Sequence, residues 1–128
     1  EITKLDCFDF PEMHRGLLNG DSIVTIWEEG PRTSRDLPFP AGEFELSMLS
    51  KGTSVGNIYP HLTVYVNDLK IGGFSTQNAF ALSPELKFTL TQADSVCFKV
   101  IMDNDTSVAQ TKEDRNAFIK GLYVRKKN

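Results

Sequence analysis

The sequence predicts an all-β fold, a two-sheet antiparallel β-sandwich, as a single domain over residues 1–128. Three observations carry this. Apolar and polar residues alternate with a period of two through much of the chain, the signature of strands with one buried and one wet face. Turn-forming clusters separate these runs at short spacing, as in two sheets packed face to face. Length and composition agree: 128 residues with 40% apolar and 24% charged residues are enough to bury a core and ordinary for a globular protein.

In chain order, "ITKLDCFDF" (2–10) and "DSIVTIWEE" (21–29) read as the first strands. "GEFELSMLS" (42–50) sets Phe44, Leu46 and Met48 against Glu45 and Ser47. In "HLTVYVNDLKI" (61–71), Leu62, Val64 and Val66 share one face, and Asn67-Asp68 forms the tip of a hairpin. "ELKFTLTQ" (85–92) aligns Leu86, Phe88 and Leu90, and "DSVCFKVIM" (94–102) aligns Val96, Phe98 and Val100. "FPAGE", "KGTSVGN", "SPE" and "QAD" supply turns between them. The predicted interior therefore holds Phe44, Leu46, Leu62, Val64, Val66, Phe88, Phe98 and Val100. For the last segment two readings compete. Thr111-x-x-Asp114 has the form of a helix capping box, whereas "AFIKGLYV" (117–124) suits a closing strand.

Charge narrows the function classes. A net charge of −3 lacks the basic surface that phosphate neutralisation requires, so no nucleic-acid partner is expected. The basic "RKKN" end reads as a solvated tail. No apolar run reaches the roughly 20 residues of a membrane-spanning helix, so no membrane partner is expected. The chain shows no signal peptide and reads as a mature fragment or excised module. Cys7 and Cys97 are compatible with one bridge or with two buried thiols.

The stretch "IMDNDTSVAQTKEDRNAFIKGLYV" (101–124) concentrates Asp103, Asp105, Glu113 and Asp114 around a polar run. Such acids repel one another unless water screens them or a cation joins them. Oxygen donors of this kind suit calcium, which takes six to eight of them. Against the EF-hand template, Asp103, Asp105, Ser107 and Asp114 fall at the first, third, fifth and twelfth positions. Val108 then replaces the required glycine, and strands are expected to flank the loop, so the match to an EF-hand fails. A solvated acidic loop and a strand-to-strand calcium loop both remain open on pattern alone. His14 and His61 are too distant in sequence to suggest a transition-metal site.

Asn104-Asp105 and Asp114-Arg115-Asn116 resemble the closing segment of calcium-dependent xylan-binding carbohydrate-binding modules. "FPAGEFELSMLSKGTSVGNIYPHLTVYVNDLKIG" resembles the middle of those modules, so the likeness covers about residues 37–124. The resemblance implies a jelly-roll sandwich without catalysis, in which calcium sits in the loop and vicinal sugar hydroxyls complete its coordination. It implies carboxylate ligands at Asp105 and Asp114, a backbone carbonyl ligand at Glu113, and an amide at Asn116 beside the ion or facing the sugar. The chain departs from the pattern at "AFIKG", where Lys120 stands near the place of a further acid and opposes a second, structural calcium.

Aromatic residues are the remaining binding candidates, because rings stack on sugar faces. Tyr59, in a loop, is a stacking candidate; Trp27 is either a platform or part of the packing; Phe74 and Phe80 read as loop anchors. Catalysis has little support. Glu28 and Glu29 are adjacent strand residues on opposite faces and cannot flank one glycosidic bond. The expected protein is thus a secreted or extracellular, monomeric, noncatalytic calcium-dependent module that binds a xylan- or galactan-like polysaccharide. It would be appended to a larger carbohydrate-active enzyme. The competing reading is a structural or protein-interaction sandwich with a structural calcium or none.

Overall fold

The computed structural model describes residues 2–6, 9–10, 17–18, 21–22, 24–26 and 31–127, with the side chains of 17, 18, 21 and 22 left out. In chain order the strands are β1 (Ile2–Leu5), β2 (Leu17–Leu18), β3 (Asp21–Ser22), β4 (Val24–Ile26), β5 (Arg32–Thr33), β6 (Leu37–Phe39), β7 (Gly42–Gly52) and β8 (His61–Val66). They continue with β9 (Leu69–Ser75), β10 (Ala81–Leu82), β11 (Leu86–Leu90), β12 (Asp94–Val96), β13 (Phe98–Met102), β14 (Ser107–Val108), β15 (Glu113–Asp114) and β16 (Ala117–Lys126).

Two antiparallel sheets form the sandwich. In the first, β16 lies between β1 and β7, β4 also pairs with β16, and β10 and β11 pair with β7. The second runs β5-β13-β8-β9. Period-two alternation built both: every second residue of β7, from Phe44 to Gly52, is buried, and so are Phe98, Val100 and Met102 of β13. All eight residues predicted to lie inside do so. Between the sheets Phe44 stacks on Phe88 at 5.1 Å, and Phe98 meets Phe39 and Phe88 edge-on at 5.9 Å each. Burying a side chain of this size contributes about 1.5–3 kcal/mol.

Details depart from the sequence reading for local reasons. The run 94–102 is two strands, because Cys97 leaves the ladder. Its N–H donates to Asn67 Oδ1 at 2.8 Å, and its carbonyl accepts from Asn67 N–H at 3.0 Å. β12 consequently pairs with β6 while β13 joins the second sheet. Asn67 (φ 47°) and Asp68 (φ 67°) form the predicted hairpin tip, both left-handed as a type I′ turn requires. The closing segment is strand. A bulge at Lys120 shifts its register, so Ala117 and Ile119 point inward before it and Leu122 and Val124 after it. Phe74 belongs to β9 and is buried in the core, not anchored in a loop; Phe80 lies in the loop before β10, 5.0 Å beneath the Lys51 ammonium. Cys97 Sγ lies 3.2 Å from the Ser34 carbonyl. Cys7, His14, Trp27, Glu28 and Glu29 lie outside the described residues.

Candidate functional site

Three segments meet at one end of the sandwich: the turn after β7, the stretch after β13, and the β14–β15 ribbon that feeds β16. The turn is set by its tip. Gly56 (φ 58°) and Asn57 (φ 64°) are both left-handed, and Val55 and Ile58 exchange two backbone hydrogen bonds at 3.0 Å. This too is type I′ geometry, which glycine and asparagine adopt at least cost. Thr53 joins the turn to the ribbon. Its hydroxyl donates to the Asp114 carbonyl at 2.6 Å and accepts from Asn116 N–H at 2.9 Å.

The stretch after β13 is held by side chains. Asn104 Oδ1 accepts from His61 N–H at 2.8 Å while Nδ2 donates to the Tyr59 carbonyl at 3.0 Å. Asp103 lies 2.9 Å from His61 Nδ1 and accepts from Thr63 Oγ1 at 2.8 Å. Burial pushes the Asp103 carboxyl up, but the hydrogen bonds from Thr63 and His61 outweigh it and hold the group below the ordinary carboxylate range.

In the ribbon, Ser107 pairs with Asp114 and Val108 with Glu113, and Arg115 N–H extends the ladder to the Thr106 carbonyl at 3.0 Å. Alternation along such a ribbon divides its residues into two faces. Asp114 and Asn116 alternate to one face with Ser107, and the same register continued one step past Thr106 and Arg115 sets Asp105 across from Asn116. Glu113 and Arg115 alternate to the other. The shared face is open at Ser107 and Asp114, which are exposed, and deeper at Asp105 and Asn116, which are half-buried.

Arg115 is buried, at 7% exposure, and its guanidinium ends on backbone carbonyls. Nε donates to Ile58 at 2.9 Å, one terminal nitrogen to Val55 at 3.1 Å, and the other to Asn104. One side chain thus fastens the turn and the stretch after β13 to the ribbon. Sequence reasoning left Arg115, Asn104 and Thr53 without a role. The signal available was a cation placed between two polar residues of an acid-rich loop.

Of the predicted site residues, Asp114 and Asn116 fall on one face, and the continued register sets Asp105 beside them. Asn116 Nδ2 lies 3.3 Å from Asp114 Oδ2, and Asn116 Oδ1 is buried without a hydrogen-bond partner. A buried amide oxygen left unmet costs about 1–3 kcal/mol, so a donor or a cation belongs beside it. The Glu113 carboxylate stays apart, accepting from Thr111 Oγ1 at 3.0 Å. Among the described residues no three His, Cys, Asp or Glu side chains converge into a group that could hold a metal ion. Tyr59 borders the site through its carbonyl, with its ring half-buried.

A separate groove of about 440 Å³ crosses the outer face of the first sheet, lined by Leu49, Leu82, Tyr123, Glu45, Glu85 and Arg125. Its carboxylates are both engaged by Arg125, at 2.9 Å from Glu45 and 3.2 Å from Glu85. The Arg125 hydrogen bond holds the Glu45 carboxyl below its ordinary range.

No protein-family model matches the sequence, and no curated protein is significantly similar to it. Solved structures do share the fold. The CBM36-1 domain of a multidomain xylanase from the hindgut metagenome of Trinervitermes trinervoides aligns with a TM-score of 0.64 at 10% identity, over 100% of this chain and 99% of that domain. The C-terminal CBM6 of LamC, a marine laminarinase from Zobellia galactanivorans, gives 0.64 at 10% identity over 98% of this chain and 100% of that module. A GH26-CBM35 β-(1,4)-mannanase from Podospora anserina gives 0.63 at 10% identity, with 99% of this chain covering 28% of the mannanase. The chain therefore has the β-sandwich fold of carbohydrate-binding modules. Likeness at this identity is one of fold, and function rests on the site.

Proposed function

We propose that this chain is a noncatalytic, calcium-dependent carbohydrate-binding module. It engages vicinal hydroxyls of a xylan- or galactan-like polysaccharide at the ribbon end, as an extracellular, monomeric part of a larger carbohydrate-active enzyme. The observation that carries this reading is the buried, unmet Oδ1 of Asn116, whose amide lies against the Asp114 carboxylate. These are acceptor-only oxygens, the donor set of a hard cation. Asp105 and Asp114 would hold the ion through their carboxylates, and Asn116 Oδ1 and the Glu113 carbonyl would add neutral oxygens. Bound there, calcium supplies coordination positions at which two adjacent sugar hydroxyls replace two waters.

The chain's own residues do the rest. Thr53 and Arg115 fix the ribbon against the turn, so the acids are placed before any ligand arrives. The exposed rim at Ser107 and Asp114 leaves the face open to a long polymer. A purely structural ion is the weaker reading, because side chains already fasten this loop: Arg115 to three carbonyls, Asn104 to two backbone groups. Catalysis is weaker still. A glycosidase acid needs a raised pKa, and Arg125 drives Glu45 the other way.

Affinity electrophoresis on xylan, galactan and mannan gels tests the proposal. Retardation should occur on at least one polymer, disappear with chelator, and return with added calcium. Retardation that persists in chelator would remove calcium from the account.

A further inference from the structure

The turn at 53–59 carries no carboxylate, yet it is tied to the ribbon at its start by Thr53 and at its tip by a buried side chain. Arg115 sits between Asp114 and Asn116 in sequence and alternates to the opposite face from both. Its guanidinium reaches the carbonyls of Val55 and Ile58, the two residues that close the turn, and the carbonyl of Asn104, which precedes Asp105. Ile58 is 59% exposed at the lip of this turn, with Asn57 exposed beside it.

We infer that Arg115 is a positioning residue that couples the 53–59 turn to the ribbon, so that an ion on one face of the ribbon orders the turn on the other. The inference rests on the calcium reading above. Its physical basis is that a planar guanidinium directs its donors in fixed directions. Moving the Asp114–Asn116 backbone toward an ion moves Arg115, and both anchoring carbonyls of the turn must follow. A lysine at 115 keeps the charge but is a single point donor and cannot span three carbonyls.

Amide hydrogen exchange on the full chain, with and without calcium chloride, reads this directly. The probes are the amides of Val55 and Ile58 in the turn and those of 107–114 in the ribbon. In the wild type, calcium should slow exchange in both sets. In Arg115→Lys the calcium-free turn should exchange about ten-fold faster, as loss of hydrogen bonds to a charged donor implies. Calcium should then protect the ribbon alone. A role confined to folding would raise exchange throughout and leave the calcium response shared. Arg115→Gln serves as the second variant should the lysine variant fail to fold. Protection of the turn by calcium in either folded variant, equal to that in the wild type, overturns the inference. A wild type in which calcium protects neither set overturns the calcium reading itself, a result distinguishable because the ribbon is also silent.

Discussion

Two regions of this molecule are ordered by different physics. Inside the sandwich, apolar side chains such as Leu46, Leu62, Val64 and Phe98 are fully buried at alternating positions, and any one of them is held by many weak contacts. At the ribbon end, few apolar side chains contribute. Order comes from individual polar atoms aimed at named partners: Asn104 at His61 and Tyr59, Thr53 at Asp114 and Asn116, Arg115 at three carbonyls. The first kind of order tolerates a conservative change of shape and resists a loss of volume. The second tolerates neither, because most of the partners are backbone groups of buried or half-buried residues that water cannot easily reach. The contrast teaches where function can be placed. The interior supplies rigidity without chemistry, and the loop end supplies unmet oxygen on a frame that does not depend on a ligand.

The largest expected effect lies inside. Phe98→Ala removes a ring packed against Phe39 and Phe88 and should cost about 3–5 kcal/mol in chemical denaturation. Where that variant remains folded, calcium binding should be unchanged, since the sites share no partner. Asn104→Ala should act differently. It strands the His61 N–H and the Tyr59 carbonyl, costing about 1–3 kcal/mol, and weakens calcium and glycan binding together. A variant that lost stability but bound both normally would show that the loop frame and the site are independent.

The same contrast explains what the sequence made legible. Alternation in 42–50, 61–71 and 85–92 marked the strands and their buried faces, and Asn67-Asp68 marked a hairpin, because period and turn chemistry are local properties. The split of 94–102 at Cys97 was hidden, because the groups that interrupt it belong to Asn67, 30 residues away. The inward face of the last strand changes at Lys120 through a one-residue bulge that no local pattern announces. At the site, Asp105, Asp114 and Asn116 were legible as oxygen donors grouped by a motif. The placement of the Glu113 side chain on the far face follows from pairing Ser107 with Asp114, a register the sequence does not state. Arg115 was invisible as a fastener because its partners are backbone carbonyls, which every residue possesses.

Smaller effects sharpen the comparison. Gly56→Ala adds a side chain into open space but at φ 58°, so it should destabilise by strain alone, by about 1–2 kcal/mol. Thermal denaturation should register that cost. The smallest effect is one of pH. Because the folded Asp103 carboxyl is held below its unfolded value, its contribution is present at neutral pH and fades as pH falls below that unfolded value through the folded one. Asp103→Asn should therefore differ from wild type at pH 7 and converge with it in acid, by an amount that its partial exposure keeps small. Denaturant midpoints of the two proteins across that range check the sign.

The central claim is that Asp105, Asp114 and the buried oxygen of Asn116 form one cation site, and calorimetric titration of calcium into the chelator-treated chain tests it most directly. The account predicts a single saturable site in the wild type. It also predicts loss of that site in Asp114→Ala, with the melting temperature of the calcium-free variant close to that of the calcium-free wild type. Absence of binding by the wild type up to millimolar calcium, or binding that Asp114→Ala leaves unchanged, would contradict it.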